Sequence, residues 1–159
     1  MILFWIMSSN KKYISSVKNM SLALLAEGKT IRIKAHGYSM YPAIKPGSLI
    51  LIEPLRNKGN PVRGEIIALK RENGLVVHRV VRREIKNGIV YYITRGDSNA
   101  RADSPVTTDN IAGRIVKSEP TGENPVPADI RINTKPNYIL NRLRVISIIL
   151  RQKLRRVFK

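Results

Sequence analysis

IIALKRENGLVVHRVVRREIKNGIVYYIT, residues 66–94, carries the fold class. Ile66 to Leu69 is a short apolar run, Leu75 to Arg83 is rich in β-branched residues, and Ile89 to Thr94 is another such run. Between them stand Arg71-Glu72-Asn73-Gly74 and Lys86-Asn87-Gly88. Asn-Gly accepts the positive backbone dihedrals of a tight hairpin, so the three runs read as consecutive antiparallel strands. Upstream, Thr30 to Ala35 alternates Ile31, Ile33 and Ala35 with Arg32 and Lys34, the period of a half-buried strand. Ser48 to Glu53 is a second apolar run, entered through the turn pair Pro46-Gly47. Downstream, Gly96-Asp97-Ser98-Asn99 interrupts the strand pattern and Ile111 to Lys117 resumes it. Strands at this spacing predict a mostly β, antiparallel domain.

Helical periodicity is confined to the flanks. Residues 11–27 carry Ile14, Val17, Leu22, Leu24 and Leu25 on a loose apolar face and stop at Gly28. From Asn137 to Lys159, Ile139, Leu143, Ile146, Leu150, Leu154 and Val157 recur at three- and four-residue steps. Glu53 to Arg63 has the proline, glycine and asparagine content of a loop. Glu119 to Pro136 carries four prolines, Pro120, Pro125, Pro127 and Pro136, and reads as a linker or extended arm. The organisation expected is therefore a helical segment at 1–28, a β domain at 29–118, a proline-rich linker at 119–136 and a basic amphipathic helix at 137–159.

The chain has 159 residues and a formal charge of +18, with 43% hydrophobic residues, so a packed core is within reach and the natural partners are polyanions. Cysteine is absent, which excludes disulfides, a thiol nucleophile and thiolate metal sites. Two histidines, His36 and His78, make a dedicated metal centre a poor expectation, and no cofactor is expected. Met1 to Met7 is apolar but far short of the roughly 20 residues of a bilayer span, and it lacks the features of a cleavable signal peptide. A peripheral membrane or cytoplasmic location is expected. Arg142, Arg144, Arg151, Lys153, Arg155, Arg156 and Lys159 lie in a C-terminal segment without an acid. That helix suits an anionic membrane surface. Packing on its own domain or a partner with a solvated basic face is the other arrangement, and nonspecific nucleic acid ranks third.

The first chemical candidate is Ser39, in the turn His36-Gly37-Tyr38-Ser39-Met40-Tyr41-Pro42 between the first two strands. Gly37 gives this turn backbone freedom and Pro42 stops regular structure beyond it. A hydroxyl at such a bend can face a cleft, or Ser39 can be a turn residue only. As a nucleophile it needs a base. His36 is three residues away, where strand geometry makes contact hard to arrange. His78, between Val77 and Arg79 in a strand, is the other histidine, and burial there would favour its neutral, proton-accepting form.

Five short motifs occur in order: Gly37-x-Ser39-Met40-x-Pro42, Pro46-Gly47-Ser48-Leu49-Ile50-Leu51-Ile52, Gly64-Glu65-Ile66-Ile67-Ala68, Val76-Val77-His78-Arg79-Val80-Val81 and Gly96-Asp97-Ser98-Asn99. Together, over roughly residues 30–116, they resemble the type I signal peptidase superfamily of serine peptidases, which also includes self-cleaving repressors. Bacterial signal peptidases usually have lysine where this chain has His78. Histidine there is similar to the endoplasmic-reticulum and archaeal branch. The resemblance implies a signal-peptidase-like β fold, Ser39 as nucleophile, His78 as general base and Asp103 as the acid that orients it. Gly37, Met40, Pro42, Gly96, Asp97 and Asn99 would shape the oxyanion hole and cleft, Asp97 as part of a Gly-Asp turn in the cleft floor. A peptide or protein precursor such as a signal or leader peptide is the substrate implied, with small residues before the cleaved bond. Two departures stand out: Gly37 replaces the serine that usually completes the oxyanion hole, and no transmembrane anchor is evident. The rival functions are an inactive β module that binds extended peptides and, ranked last, a self-cleaving DNA-linked regulator.

Overall fold

Two hairpins form within residues 66–95, the second at Asn87-Gly88. The computed structural model describes residues 16–55, 59–72, 74–119 and 135–157. Strand β3 (Ile66–Arg71) turns into β4 (Gly74–Lys86), with Arg71 opposite Gly74, and β4 turns into β5 (Ile89–Arg95), with Lys86 opposite Ile89. At the second turn Asn87 has φ 51° and Gly88 φ 76°, the left-handed pair that a two-residue hairpin needs.

Around this meander lie β1 (Ile31–Lys34), β2 (Leu49–Glu53), β6 (Val106–Thr107) and β7 (Ile111–Glu119). They join in one seven-stranded sheet of order β1-β2-β7-β3-β4-β5-β6, antiparallel at every pairing. The mostly β, antiparallel class expected from the hairpin pattern is the class observed. The two-residue β6 and the one-turn 3-10 helix Thr108–Asn110 that follows it were not foreseen. Neither is long enough to show a period.

Strand β3 explains the architecture. Ile66, Ile67, Ala68 and Leu69 are all buried, which is why the sequence there is continuous rather than alternating. Ile66 and Ala68 join a core with Leu25, Met40, Ile44, Ile50 and Ile52. Ile67 and Leu69 join a second core with Val80, Tyr92, Val106 and Ile111. Each such side chain contributes about 1.5–3 kcal/mol by leaving water. Gly113 lets β7 pass close to β2, because a Cβ there would lie 2.3 Å from the Glu53 carbonyl oxygen.

Helix α1 (16–26) presses Leu25 into the first core. It ends at Gly28, φ 85°, with the Gly28 N–H donating to the Leu25 carbonyl and the Lys29 N–H to that of Leu24, a Schellman closure. Helix α2 (Tyr138–Val157) closes the described chain. Residues 11–15 of the first expected helix, Met1 to Met7 and most of the proline-rich stretch lie outside the described residues.

Candidate active site

The turn that carries Ser39 is anchored from below. Met40 and Ile44 are core residues, and the Ile44 N–H donates to the Met40 carbonyl at 2.9 Å. Pro42 is half-buried beside them. The ends of the segment are tied where Ala35 N–H meets the Ser48 carbonyl and Gly47 N–H meets that of Ala35. Gly37 has φ 79°, a left-handed conformation that a serine would adopt only with strain.

A second turn grips the first. The Ser98 N–H donates to the Ser39 carbonyl at 2.9 Å, and the Ser98 hydroxyl reaches the carbonyls of Tyr38 and Ser39 at 2.7 and 3.1 Å. Gly96 permits that approach: a Cβ on it would sit 2.8 Å from the Ser39 carbonyl oxygen and 2.8 Å from the Asn99 side chain. Asn99 closes the second turn with its N–H on the Gly96 carbonyl, while its own carbonyl accepts from Arg95.

On β4, His78 is buried and its Nδ1 lies 2.6 Å from Asp103 Oδ2. The same carboxylate oxygen accepts the Thr94 hydroxyl at 2.5 Å, and the Asp103 N–H donates to the Thr94 carbonyl at 2.7 Å. Asp103 is thus fixed to β5 before it meets the imidazole. Burial alone would raise its carboxyl, but hydrogen bonds from His78 and Thr94 and the charges of His78 and Arg71 outweigh this and hold it below the usual carboxylate range. A carboxylate at this distance from Nδ1 is placed to accept a hydrogen from that nitrogen.

The next residue, Arg79, is paired differently. Its Nε and Nη2 donate to the two oxygens of Asp97 at 2.9 and 2.7 Å, and Nη1 donates to the Gly64 carbonyl. Asp97, expected as a turn residue, is therefore also one half of a sealed ion pair. Its carbonyl accepts from Asn141 Nδ2 at 3.1 Å, which ties α2 to this loop.

Ser39 lines a cleft of about 630 Å³ together with His36, Ile33, Val17, Val76 and Val77. Val76 and Val77 immediately precede His78 on β4, and Ile33 belongs to the edge strand β1. The fold thus joins His78 to Asp103 and joins the Ser39 turn to Gly96-Asp97-Ser98-Asn99. Among the described residues no hydrogen bond joins Ser39 to His78. Sequence reasoning missed Thr94, Arg79 and Ser98. Arg79 did leave a signal, since a cation in the middle of a β-branched run demands a counter-ion.

Among the described residues no group of three or more His, Asp or Glu side chains could together hold a metal ion. Nor is any helix there long and apolar enough to cross a membrane.

The family profile described as Peptidase S24-like matches residues 4–115. The chain is also similar to Signal peptidase I W of Bacillus subtilis (strain 168), at 34% identity over 86 residues. That match covers 53% of this chain and 45% of the relative, so the chain spans less than half of that protein's length.

Proposed function

The chain belongs to the S24-like peptidase family, and from that premise we propose a serine endopeptidase that uses Ser39, His78 and Asp103 on a peptide or protein precursor. The observation that carries this reading is the 2.6 Å contact between His78 Nδ1 and an Asp103 carboxylate already held by Thr94. A histidine oriented by an acid is the arrangement that makes a serine hydroxyl nucleophilic.

In the proposed reaction the Ser39 Oγ attacks the scissile carbonyl while its proton passes to His78 Nε2. The imidazolium formed is stabilised by Asp103 and returns that proton to the departing amine. Water then attacks the acyl-serine ester, again through His78, and releases the carboxylic acid and the free hydroxyl. The Ser39 N–H supplies one oxyanion donor. With glycine at position 37 the second donor is a backbone N–H or comes from the substrate side. Catalytic hydrogen bonds often tighten only when substrate enters, so the absence of a Ser39–His78 bond in the free protein is compatible with this route.

Among the described residues strand β1 pairs on one side only, with β2, and it borders the cleft. An extended substrate would add itself along that edge, held by main-chain hydrogen bonds. Leader- or signal-peptide removal is the processing event we favour, supported by the named relative.

A peptide-library digest tests the proposal. Wild type is expected to cut, whereas Ser39→Ala and His78→Ala each abolish cutting, Ser39→Ala with unchanged melting temperature. Library-wide silence from wild type, with lipid present, would instead favour a module that binds extended peptides. Cleavage of the chain itself, and of nothing else, would favour the self-cleaving regulator.

A further inference from the structure

Helix α2 faces the domain with Tyr138, Asn141, Gln152 and the half-buried Val145 and Ile148, and leaves a second apolar stripe bare. The Asn141 side chain is buried and donates to the Asp97 carbonyl, Gln152 Nε2 donates to the Tyr38 hydroxyl at 2.8 Å, and Arg95 stacks 3.7 Å from the centre of the Tyr138 ring. At 3.6 residues per turn these three positions share one side of the helix. Ile139, Leu143, Ile146, Leu150, Leu154 and Val157 fall on the far side, each between 43% and 77% exposed. This stripe is not the surface by which the helix packs on its own domain.

The charges sort themselves around it. Arg142 and Lys153 flank the stripe along one border, and Arg144, Arg151 and Arg155 along the other. The helix contains no acid. Long cationic side chains on both borders of an apolar face can lay their aliphatic stems beside it and lift their heads to phosphate level. A twenty-residue helix offers this face over about 30 Å, yet it lacks the continuous apolarity needed to cross a bilayer.

We propose that α2 is an in-plane anchor that docks the protein on a membrane rich in anionic phospholipid, with the 139–157 stripe among the acyl chains and the flanking arginines and lysine on the phosphates. Because Gln152 bonds Tyr38 and Asn141 bonds Asp97, the anchor is coupled directly to the two turns that frame Ser39. The candidate active site then sits roughly one helix diameter, about 10 Å, above the lipid surface. The docking is independent of whether Ser39 is catalytic, so a binding measurement separates it from the peptidase reading.

The test is co-sedimentation of the full chain with phosphatidylcholine vesicles made with and without phosphatidylglycerol, in low and high salt. Wild type is expected to sediment with the anionic vesicles and to keep part of that binding in high salt, where charge alone is screened. Leu143→Gln/Leu150→Gln leaves the net charge unchanged and touches only exposed positions. It should keep the wild-type melting temperature and lose at least about tenfold in partitioning, given the transfer energy of two leucines. Arg144→Gln/Arg151→Gln should lose several-fold, and only with anionic vesicles. Equal binding by wild type and the double-leucine variant would overturn the proposal in favour of plain charge attraction. So would a concentration-dependent dimer, seen by light scattering without lipid and abolished by the leucine variant, which would make a second copy the occupant.

Discussion

His78 and Arg79 are neighbours on β4, point to opposite sides of the strand, and each meets an aspartate from the same β5–β6 connection. The side chains of Arg79 and Asp97 are 4% and 2% exposed, and their bond is two-pronged. The side chains of His78 and Asp103 are 8% and 21% exposed, and their bond is single. Arginine does not give up its proton in a protein, so a sealed Arg79–Asp97 pair can only hold the loop in shape. The more open His78–Asp103 pair is the one that the proposed reaction uses. One short connection thus supplies both the brace and the acid that meets the proposed base.

The comparison can be broken most sharply at Asp103. Asp103→Asn should lower the cleavage rate by roughly ten-thousandfold, as expected when the acid that orients the imidazole is lost, with a loss of stability much smaller than that of Asp97→Asn. Asp97→Asn should do the reverse: the Arg79 charge left buried without its carboxylate costs about 3–5 kcal/mol of stability, read from urea unfolding. Arg79→Met/Asp97→Leu should recover most of that loss, because removing both charges removes the desolvation penalty too. If Asp97→Asn proved stable but inactive, the division of labour between the two pairs would fall.

A smaller effect sharpens the account at the cleft. Gly37→Ser places a side chain at a φ of 79° and should cost about 1–2 kcal/mol in thermal stability while leaving both ion pairs intact. The smallest effect is on acid stability. The Asp103 pKa is lowered in the folded protein, so its contribution is fully present above the unfolded value of about 3.9 and fades as pH falls through the folded one. The stability gap between wild type and Asp103→Asn should therefore hold at neutral pH and close only in that acid window. A gap that closed near neutrality would assign the stabilisation to another group.

Much of the β scaffold was legible because its signals are local. Asn87-Gly88 dictates a turn wherever it stands, and the alternation of Ile31, Ile33 and Ala35 marks a strand with one covered face. Val106–Thr107 left no such trace, since two residues have no period. The Ser39 turn and the His78 strand stood out as motifs, but the groups that hold them did not. Thr94 and Ser98 act through contacts made only after the chain folds, and a lone hydroxyl has no sequence signature. For α2 the stripe was visible and its surroundings were not. Asn141 and Gln152, polar residues unremarkable in sequence, decide which side faces the domain.

The central claim is that Ser39 becomes acylated with His78 as its base. Acid quenching during turnover of a peptide ester, followed by mass spectrometry, reads this directly. The account predicts an acyl group on the fragment containing Ser39, absent in Ser39→Ala and formed far more slowly in His78→Ala. Turnover with no adduct on that fragment, or acylation of His78→Ala at the wild-type rate, would contradict it.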